Sequence, residues 1–391
     1  MTTALSFQEK SPLFVGVDLA KSVFQVAYQN PKSSRFYNRQ LTRKEFRRFL
    51  TEHQGSLCVG MEACGSAHYW GRECVKMGHE VRILPAITVK YINQGNKDDR
   101  NDAHCIWQAM HLPSIKTVKI RDESNQALMS LLKLRDLIIK QKTQLQNNLR
   151  GCFYEQGVIC GSGSESLIET AETQVKELRE ENKEWSELIA KVSICAIDLI
   201  KGQAKQLQTI DEYITKYTQE NESCRKLMTI PYVGPVTAAA LYAVMFDPGN
   251  FKNARQFAAY AGFAPTHTGT GGRITMGGIP LKGNPVLKRV LYQACLSLYS
   301  RNKRMKNQAG QNENTWLARL SRRLPVKKTV CAAADKICRI AWALLHNGEC
   351  YADEKSTLGI AGIKSKRIMT RHMYDSIITL SEEAEDNKYN R

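Results

Sequence analysis

"LFVGVDLAKSVFQVAYQ", residues 13–29, decides how the first third of this chain is read. Its opening, Leu13–Ala20, is a short apolar run that ends on an aspartate, Asp18. The continuation "SVFQVAYQ" alternates like its neighbour, which predicts two successive strands. "SSRFYNRQL" extends the pattern to a third strand. "TRKEFRRFLTEH" then switches to helical spacing behind a threonine suited to an N-cap. "LCVGMEA" (Leu57–Ala63) is a buried-type strand ending on Glu62, and "HYWGRECVKMG" is a helix with Gly78 as its stop. "HEVRILPA" supplies a fifth strand, and "NKDDRNDAHCIWQAMH" opens a further helix.

Three strands, then helix, strand, helix, strand, helix is an order compatible with an α/β fold of the ribonuclease-H-like class, here spanning residues 10–115. A long helical pattern follows from Glu123 to Tyr154, with Leu128, Leu131, Leu132, Arg135, Ile138, Leu145 and Leu149 near three- and four-residue spacing. A second stretch, Ser166 to Gln219, is also helical in composition, with a break expected near Gly202. "CGSGSES" separates the two. The pattern predicts an antiparallel helical, coiled-coil-like arm over 120–222, serving dimerisation, nucleic-acid spanning or simple packing. A mainly α-helical domain over 225–346 follows, with basic clusters "RNKRMK" and "RLSRRLPVKK" and a last apolar helix "VCAAADKICRIAWALLHN". Residues 347–391 read as a polar tail.

The chain has 391 residues, 42% of them hydrophobic and 24% charged, enough to bury a core in more than one domain. No apolar run reaches the length of a membrane span, and "MTTALSFQEKSP" lacks the apolar stretch of a signal peptide. The expected location is the cytoplasm, with no membrane partner. A net charge of +18 favours a polyanionic partner, most simply nucleic acid. Twelve scattered cysteines show neither C-x-x-C pairs nor Cys/His zinc spacing, so reduced and mostly buried thiols are expected.

Asp18 and Glu62 sit at the ends of apolar strands, while Asp99 and Asp102 are three apart and share a helix face. Four carboxylates brought together repel one another unless a cation joins them. Oxygen-only donors suit Mg²⁺ or Mn²⁺, which assist phosphodiester displacement. Asp98 adjoins Asp99, and spacing alone does not choose between them.

"IPYVGPVTAAAL" resembles a helix-hairpin-helix element. Its Gly234–Pro235 turn would offer helix-start N–H groups to a phosphate. "APTHTGTGGRITMGGIPLKGN" (264–284) has six glycines and four threonines and no serine. It reads either as a flexible surface loop or as a phosphate cradle with Arg273 and Lys282. Lys288 and Arg289, just beyond it, are further candidates for phosphate contact.

Together "GVDLAKSVFQV", "GMEACGSAHYW", "NKDDRNDA", "IPYVGPVTAAAL", "DPGNFKNARQFAAYAGFAP", "GGRITMGGIPLKGNPVLKRVL" and "KICRIAWALL" resemble the DEDD transposases and Piv-like DNA invertases of the insertion-sequence 110 type, over most of residues 13–346. The resemblance implies a RuvC-like domain, a coiled-coil arm and a C-terminal transposase domain in a bacterial protein working at the nucleoid. It implies Asp18, Glu62, Asp99 and Asp102 as a metal-binding tetrad, selecting Asp99 over Asp98 because the residue before the third acid is not usually acidic. It further implies a structured guide RNA that pairs with donor and target DNA, and a homo-oligomer, dimer to tetramer. Strand exchange in the family is thought to pass through a covalent link between DNA and a transposase-domain serine.

Here the sequence departs from the pattern. Where a serine is usual it reads Gly269-Thr270-Gly271-Gly272-Arg273, so Thr270 is the expected nucleophile, with Thr268 in reserve should Gly269 be the aligned position. Threonine keeps the hydroxyl but adds a β-methyl that stiffens χ1. Two other readings stay open: a metal-dependent junction nuclease with no covalent intermediate, and a remnant that only binds nucleic acid.

Overall fold

Period-two alternation sorts the first strands cleanly. The computed structural model describes residues 12–351 except 31–32, 54, 93–97, 182 and 310–315, and no side chains over 302–309. The tail from 352 onward therefore lies outside the described residues, as do the side chains of "RNKRMK" beyond Arg301. Strands β1 (Leu13–Leu19), β2 (Val23–Gln29) and β3 (Phe36–Thr42) pair antiparallel. Helix α1 (Arg43–Glu52) starts at the expected Thr42 cap: Thr42 Oγ1 accepts from Glu45 N at 3.3 Å, and the Glu45 carboxylate accepts from Thr42 N at 2.7 Å. Strand β4 (Leu57–Glu62), helix α2 (Ala67–Lys76) and strand β5 (Glu80–Leu84) follow, and the sheet order is β3-β2-β1-β4-β5 with β1, β4 and β5 parallel. Gly78 takes φ +85°, as a helix stop requires. A short helix, α3 (Ala86–Ile92), was not expected from the sequence. Helix α4 (Asp99–Met110) was.

Val15, Val17, Phe24, Val26, Val59 and Met61 pack on one face of the sheet with Phe46, Leu50 and Trp70 from α1 and α2. The opposite face carries Gly16, Asp18, Gln25, Gly60 and Glu62, by the same alternation and register. Helix α4 covers that face through Ile106, Ala109 and Met110.

The chain divides into two compact units, 1–126 and 127–391. Helix α5 (Glu123–Tyr154) begins at the end of the first. Helices α6 (Ser164–Glu180) and α7 (Glu184–Glu220) are joined by three residues. Leu149 and Phe153 of α5 pack with Leu167 and Ala171 of α6 and Ile197 and Ile200 of α7. Nearer the unit boundary, Leu128, Leu132 and Ile138 of α5 and Ile210 and Ile214 of α7 belong to a different core, that of the C-terminal helices. Arg135 and Asp211 bridge α5 and α7 there, at 2.5 Å and 3.2 Å.

The break expected near Gly202 does not occur. Helix α7 is continuous for 37 residues and the interruption lies at 181–183 instead. One helical glycine costs only about 1 kcal/mol relative to alanine, which burial of Ile197, Ile200, Ile210 and Ile214 outweighs. A Cβ built on Gly202 meets nothing within 4 Å. Gly202→Ala should therefore stabilise the protein by about 0.5–1 kcal/mol, measured as a rise in the urea midpoint. A fall would mean the site needs glycine.

The remaining helices are α8 (Glu222–Met228), α9 (Pro235–Met245), α10 (Ala254–Ala261), α11 (Pro285–Ala309), α12 (Trp316–Arg323) and α13 (Val326–Asn347). Alanine-rich α9 is buried almost all round, from Thr237 to Met245, and forms the centre of this unit. Among the described residues no helix is long and apolar enough to cross a membrane.

The segment 264–284 is not an irregular loop. Strands β6 (His267–Thr270) and β7 (Arg273–Met276) pair as a hairpin around Gly271 and Gly272. Both turn glycines have positive φ, +57° and +79°, the requirement of a two-residue type I′ turn. All eight strand residues are exposed, and the apolar alternation is confined to Ile274 and Met276 of β7, too short a signal to mark a hairpin among the glycines.

Candidate functional site

Asp18 sits one residue before the end of β1, two beyond Gly16 on the same face. On the neighbouring parallel strand, Glu62 lies two beyond Gly60, and Gly16 pairs with Gly60. The two glycines explain how a helix reaches the acids. A Cβ on Gly16 would stand 2.6 Å from the Ala103 carbonyl oxygen and 2.6 Å from Trp107 N, both backbone atoms of α4. A Cβ on Gly60 would run into the Met110 side chain. Helix α4 thus lies directly on the strands, and its first turn carries Asp99 and Asp102 to the strand end.

Carboxylate oxygens of Asp18, Asp99 and Asp102 all lie within 4.8 Å of one another. Glu62 is outside that group of three but close enough for its charge to act on Asp18. Burial, and then the charges of Asp102, Asp99 and Glu62, push the Asp18 carboxyl up to about 6. Asp98, the alternative left open by spacing, is the N-cap of α4, and its side chain accepts from Arg100 N at 3.3 Å. The cluster offers oxygen donors alone, in mutual repulsion. That donor set fits a hard divalent cation and poorly fits a soft metal.

Gly16→Ala would push α4 off the strand, since the obstructing atoms are backbone and cannot rotate aside. The expected result is a loss of about 1–3 kcal/mol in stability from overpacking and roughly 100-fold in divalent-cation affinity from misplaced carboxylates. Paired urea melts and Mn²⁺ titrations check it, and unchanged affinity would show that this contact does not set the site.

The second group of expected residues lies in the C-terminal unit. Thr270 and Arg273 are the pair that closes the hairpin turn, and Thr268 faces Thr275 one step back. Directly opposed residues share a face, so Thr268, Thr270, Arg273 and Thr275 line one side. His267, Gly269, Ile274 and Met276 line the other. Position 269 thus lies on the face away from the arginine, whereas Thr270 and the reserve Thr268 share the arginine's face. At the hairpin base, Gly262 (φ +86°) and Gly283 (φ +112°) touch backbone to backbone: a Cβ on Gly262 would lie 2.2 Å from the Lys282 carbonyl oxygen.

Gly234 is the exposed N-cap of α9, with Pro235 at the first position and no side-chain cap. Lys282 is exposed. The other two cations differ from the simple expectation of free phosphate contacts. Lys288 Nζ donates to the Pro280 carbonyl at 2.6 Å and the Lys282 carbonyl at 3.2 Å, holding the hairpin's exit strand. Arg289 grips both oxygens of Asp136 on α5 at 2.5 Å. Residues that sequence reasoning missed are Gly16 and Gly60, for which the repeated pattern of a glycine two before a strand-end acid was a usable signal.

A family model for DEDD transposases of the IS110 type matches residues 15–155, which contain all four acids, and a model described as "Transposase IS116/IS110/IS902 family" matches residues 224–309, which contain the hairpin. A putative transposase of Sinorhizobium fredii is 31% identical over 86% of this chain and 85% of its own length. A probable family 20 transposase of Pseudomonas aeruginosa is 31% identical over 86% and 98%. The transposase for insertion sequence element IS1111A of Coxiella burnetii is 29% identical over 86% and 90%. With both halves of the chain matched in order and relatives aligned along nearly their whole length, the chain belongs to the IS110-type DEDD transposases, enzymes that cut and recombine DNA.

Proposed function

We propose that this transposase cuts and rejoins specific DNA ends, in transposition or site-specific inversion, with two sets of groups: the tetrad Asp18, Glu62, Asp99 and Asp102, and the hydroxyl of Thr270. The reading takes residues 10–115 as a RuvC-like catalytic domain, 120–222 as a coiled-coil arm and 225–346 as the domain that presents the nucleophile. The observation that carries it is the convergence of three carboxylates within 4.8 Å at a strand end.

The four carboxylates would hold Mg²⁺ or Mn²⁺, which would supply positive charge to the oxygens around the phosphorus under attack. The Thr270 oxygen, opposite the tetrad of another protomer, attacks that phosphorus and gives its proton to solvent. The new Oγ1–P bond replaces one P–O ester bond, and the departing strand end leaves as an alkoxide that takes up a proton from solvent to become a hydroxyl. Attack by a second strand's hydroxyl reverses the step and joins the new DNA. Arg273, directly across from Thr270, holds the phosphate by charge-assisted hydrogen bonds. Gly234 and Lys282 contact backbone phosphates further along. Lys288 and Arg289 join them only by releasing the partners they hold. Target choice rests with a structured guide RNA, and the working form is a homo-oligomer, dimer to tetramer.

Denaturing gels of the protein incubated with Mn²⁺ and a phosphorothiolate element-end DNA test the covalent step. A protein–DNA adduct is expected. Cleavage without any trapped adduct would instead support the metal-dependent nuclease, and nucleic-acid binding with neither would support the remnant.

A further inference from the structure

Directly across β1 from Asp18, on the face that α4 covers, stands Gln25. It is a polar side chain only 4% exposed. Its orientation is set by a short chain of hydrogen bonds. Asn38 Nδ2 donates to the Arg100 carbonyl oxygen at 2.9 Å, in the first turn of α4 between Asp99 and Asp102. Having used its donor there, Asn38 presents Oδ1 as an acceptor, and Gln25 Nε2 donates to it at 2.5 Å. Gln25 Oε1 is left over, buried with no hydrogen-bond partner. A buried amide oxygen in that state is destabilising, because its lost hydration is not replaced. An ionised Asp18 cannot relieve it, because a carboxylate only accepts. The missing group is a donor, and Gln25 stands opposite Asp18, a member of an acidic cluster suited to a hydrated divalent cation.

We infer that Gln25 is a positioning residue of the metal centre: its Oε1 accepts a hydrogen bond from the hydration shell of the cation, while its Nε2, through Asn38, ties the first turn of α4 to the sheet. The amide orients what the carboxylates bind, as partners behind metal ligands generally do. This inference rests on the metal-centre reading above.

The test is Mn²⁺ binding by the full chain, read from the electron paramagnetic resonance of free Mn²⁺, so that no activity measurement is needed. Wild type should bind and Asp18→Asn should not. Gln25→Met keeps the length and apolar contacts but removes both the acceptor and the donor to Asn38, and should weaken binding roughly 10–100-fold with an unchanged circular dichroism spectrum. Gln25→Glu keeps an acceptor oxygen at the same place while giving up the donor, and should bind more tightly than Gln25→Met. If the methionine variant does not fold, Gln25→Glu is set against wild type, and loss of its Mn²⁺ binding overturns the acceptor role. Wild-type affinity in Gln25→Met, or a loss in Gln25→Glu as large as in Gln25→Met, would overturn the role of Gln25 while leaving the metal centre intact. Absence of Mn²⁺ binding by wild type would overturn the metal-centre reading and this inference with it.

Discussion

Asp18→Asn should be more stable than wild type in the absence of metal and inactive in its presence. The Asp18 carboxyl is pushed up to about 6, first by burial and then by the charges of Asp102, Asp99 and Glu62. At neutral pH the ionised group therefore opposes the fold. Asparagine occupies nearly the same volume without the charge. After allowance for the solvent that still reaches the group, the gain should be on the order of 1–2 kcal/mol in EDTA. Added Mn²⁺ reverses the ranking. Wild type gains about 2.7 kcal/mol at 100 times its dissociation constant, and the variant gains little, having lost a carboxylate that both binds the ion and balances its charge. Strand cleavage should fall on the order of 10³-fold or more, because the charge that stabilises the displaced oxygens is no longer held in place. Urea melts with EDTA and with Mn²⁺, beside a cleavage assay, separate the two halves of the claim. A variant that cleaves normally, or that Mn²⁺ stabilises as much as wild type, would remove Asp18 from the metal site.

Thr270→Ala should abolish the covalent adduct and reduce strand exchange by roughly 10³-fold, since nothing replaces the attacking oxygen. Thr270→Ser should keep the adduct and react at least as fast, because it loses only the β-methyl that stiffens χ1. Register makes this a narrow prediction. Thr270 and Arg273 close the turn as a directly opposed pair, so hydroxyl and guanidinium share a face, while position 269 lies on the other face. Full strand exchange by Thr270→Ala would eliminate the assignment. An adduct that survives in Thr270→Ala but disappears in Thr268→Ala would move the role two residues back along the same face.

Several elements were legible because their signals are local. The alternation in "LFVGVDLAKSVFQVAYQ" marked β1 and β2, the Thr42 capping box marked the start of α1, and the bounds of α5 matched the helical stretch read from the sequence. Where competing signals had to be weighed, the sequence was weaker. Gly202 looked like a break because helix propensity is visible locally, whereas the buried isoleucines on either side gain their energy from other helices. The glycine-rich segment looked like a loop because the hairpin buries no face, and its apolar residues, Ile274 and Met276, are too few to announce a strand. Lys288 and Arg289 looked like free cations because the Pro280 and Lys282 carbonyls and Asp136 that occupy them are set by tertiary contact, with Asp136 153 positions away from Arg289.

By itself the sequence determined the order of strands and helices, the placement of Asp18 near one strand end and Glu62 at the end of another, and the three-residue step from Asp99 to Asp102 on one helix face. Each follows from a backbone period of two or 3.6 residues. Tertiary structure alone decided that these acids meet. Asp18 reaches Asp99 and Asp102 because Gly16 lets the α4 backbone lie against β1, and Gln25 and Asn38 hold the first turn there. It also gave Asp98 to the helix cap and left Asp99 to the cluster. Those outcomes depend on close approach between elements some 80 residues apart in the chain, which a local period does not encode.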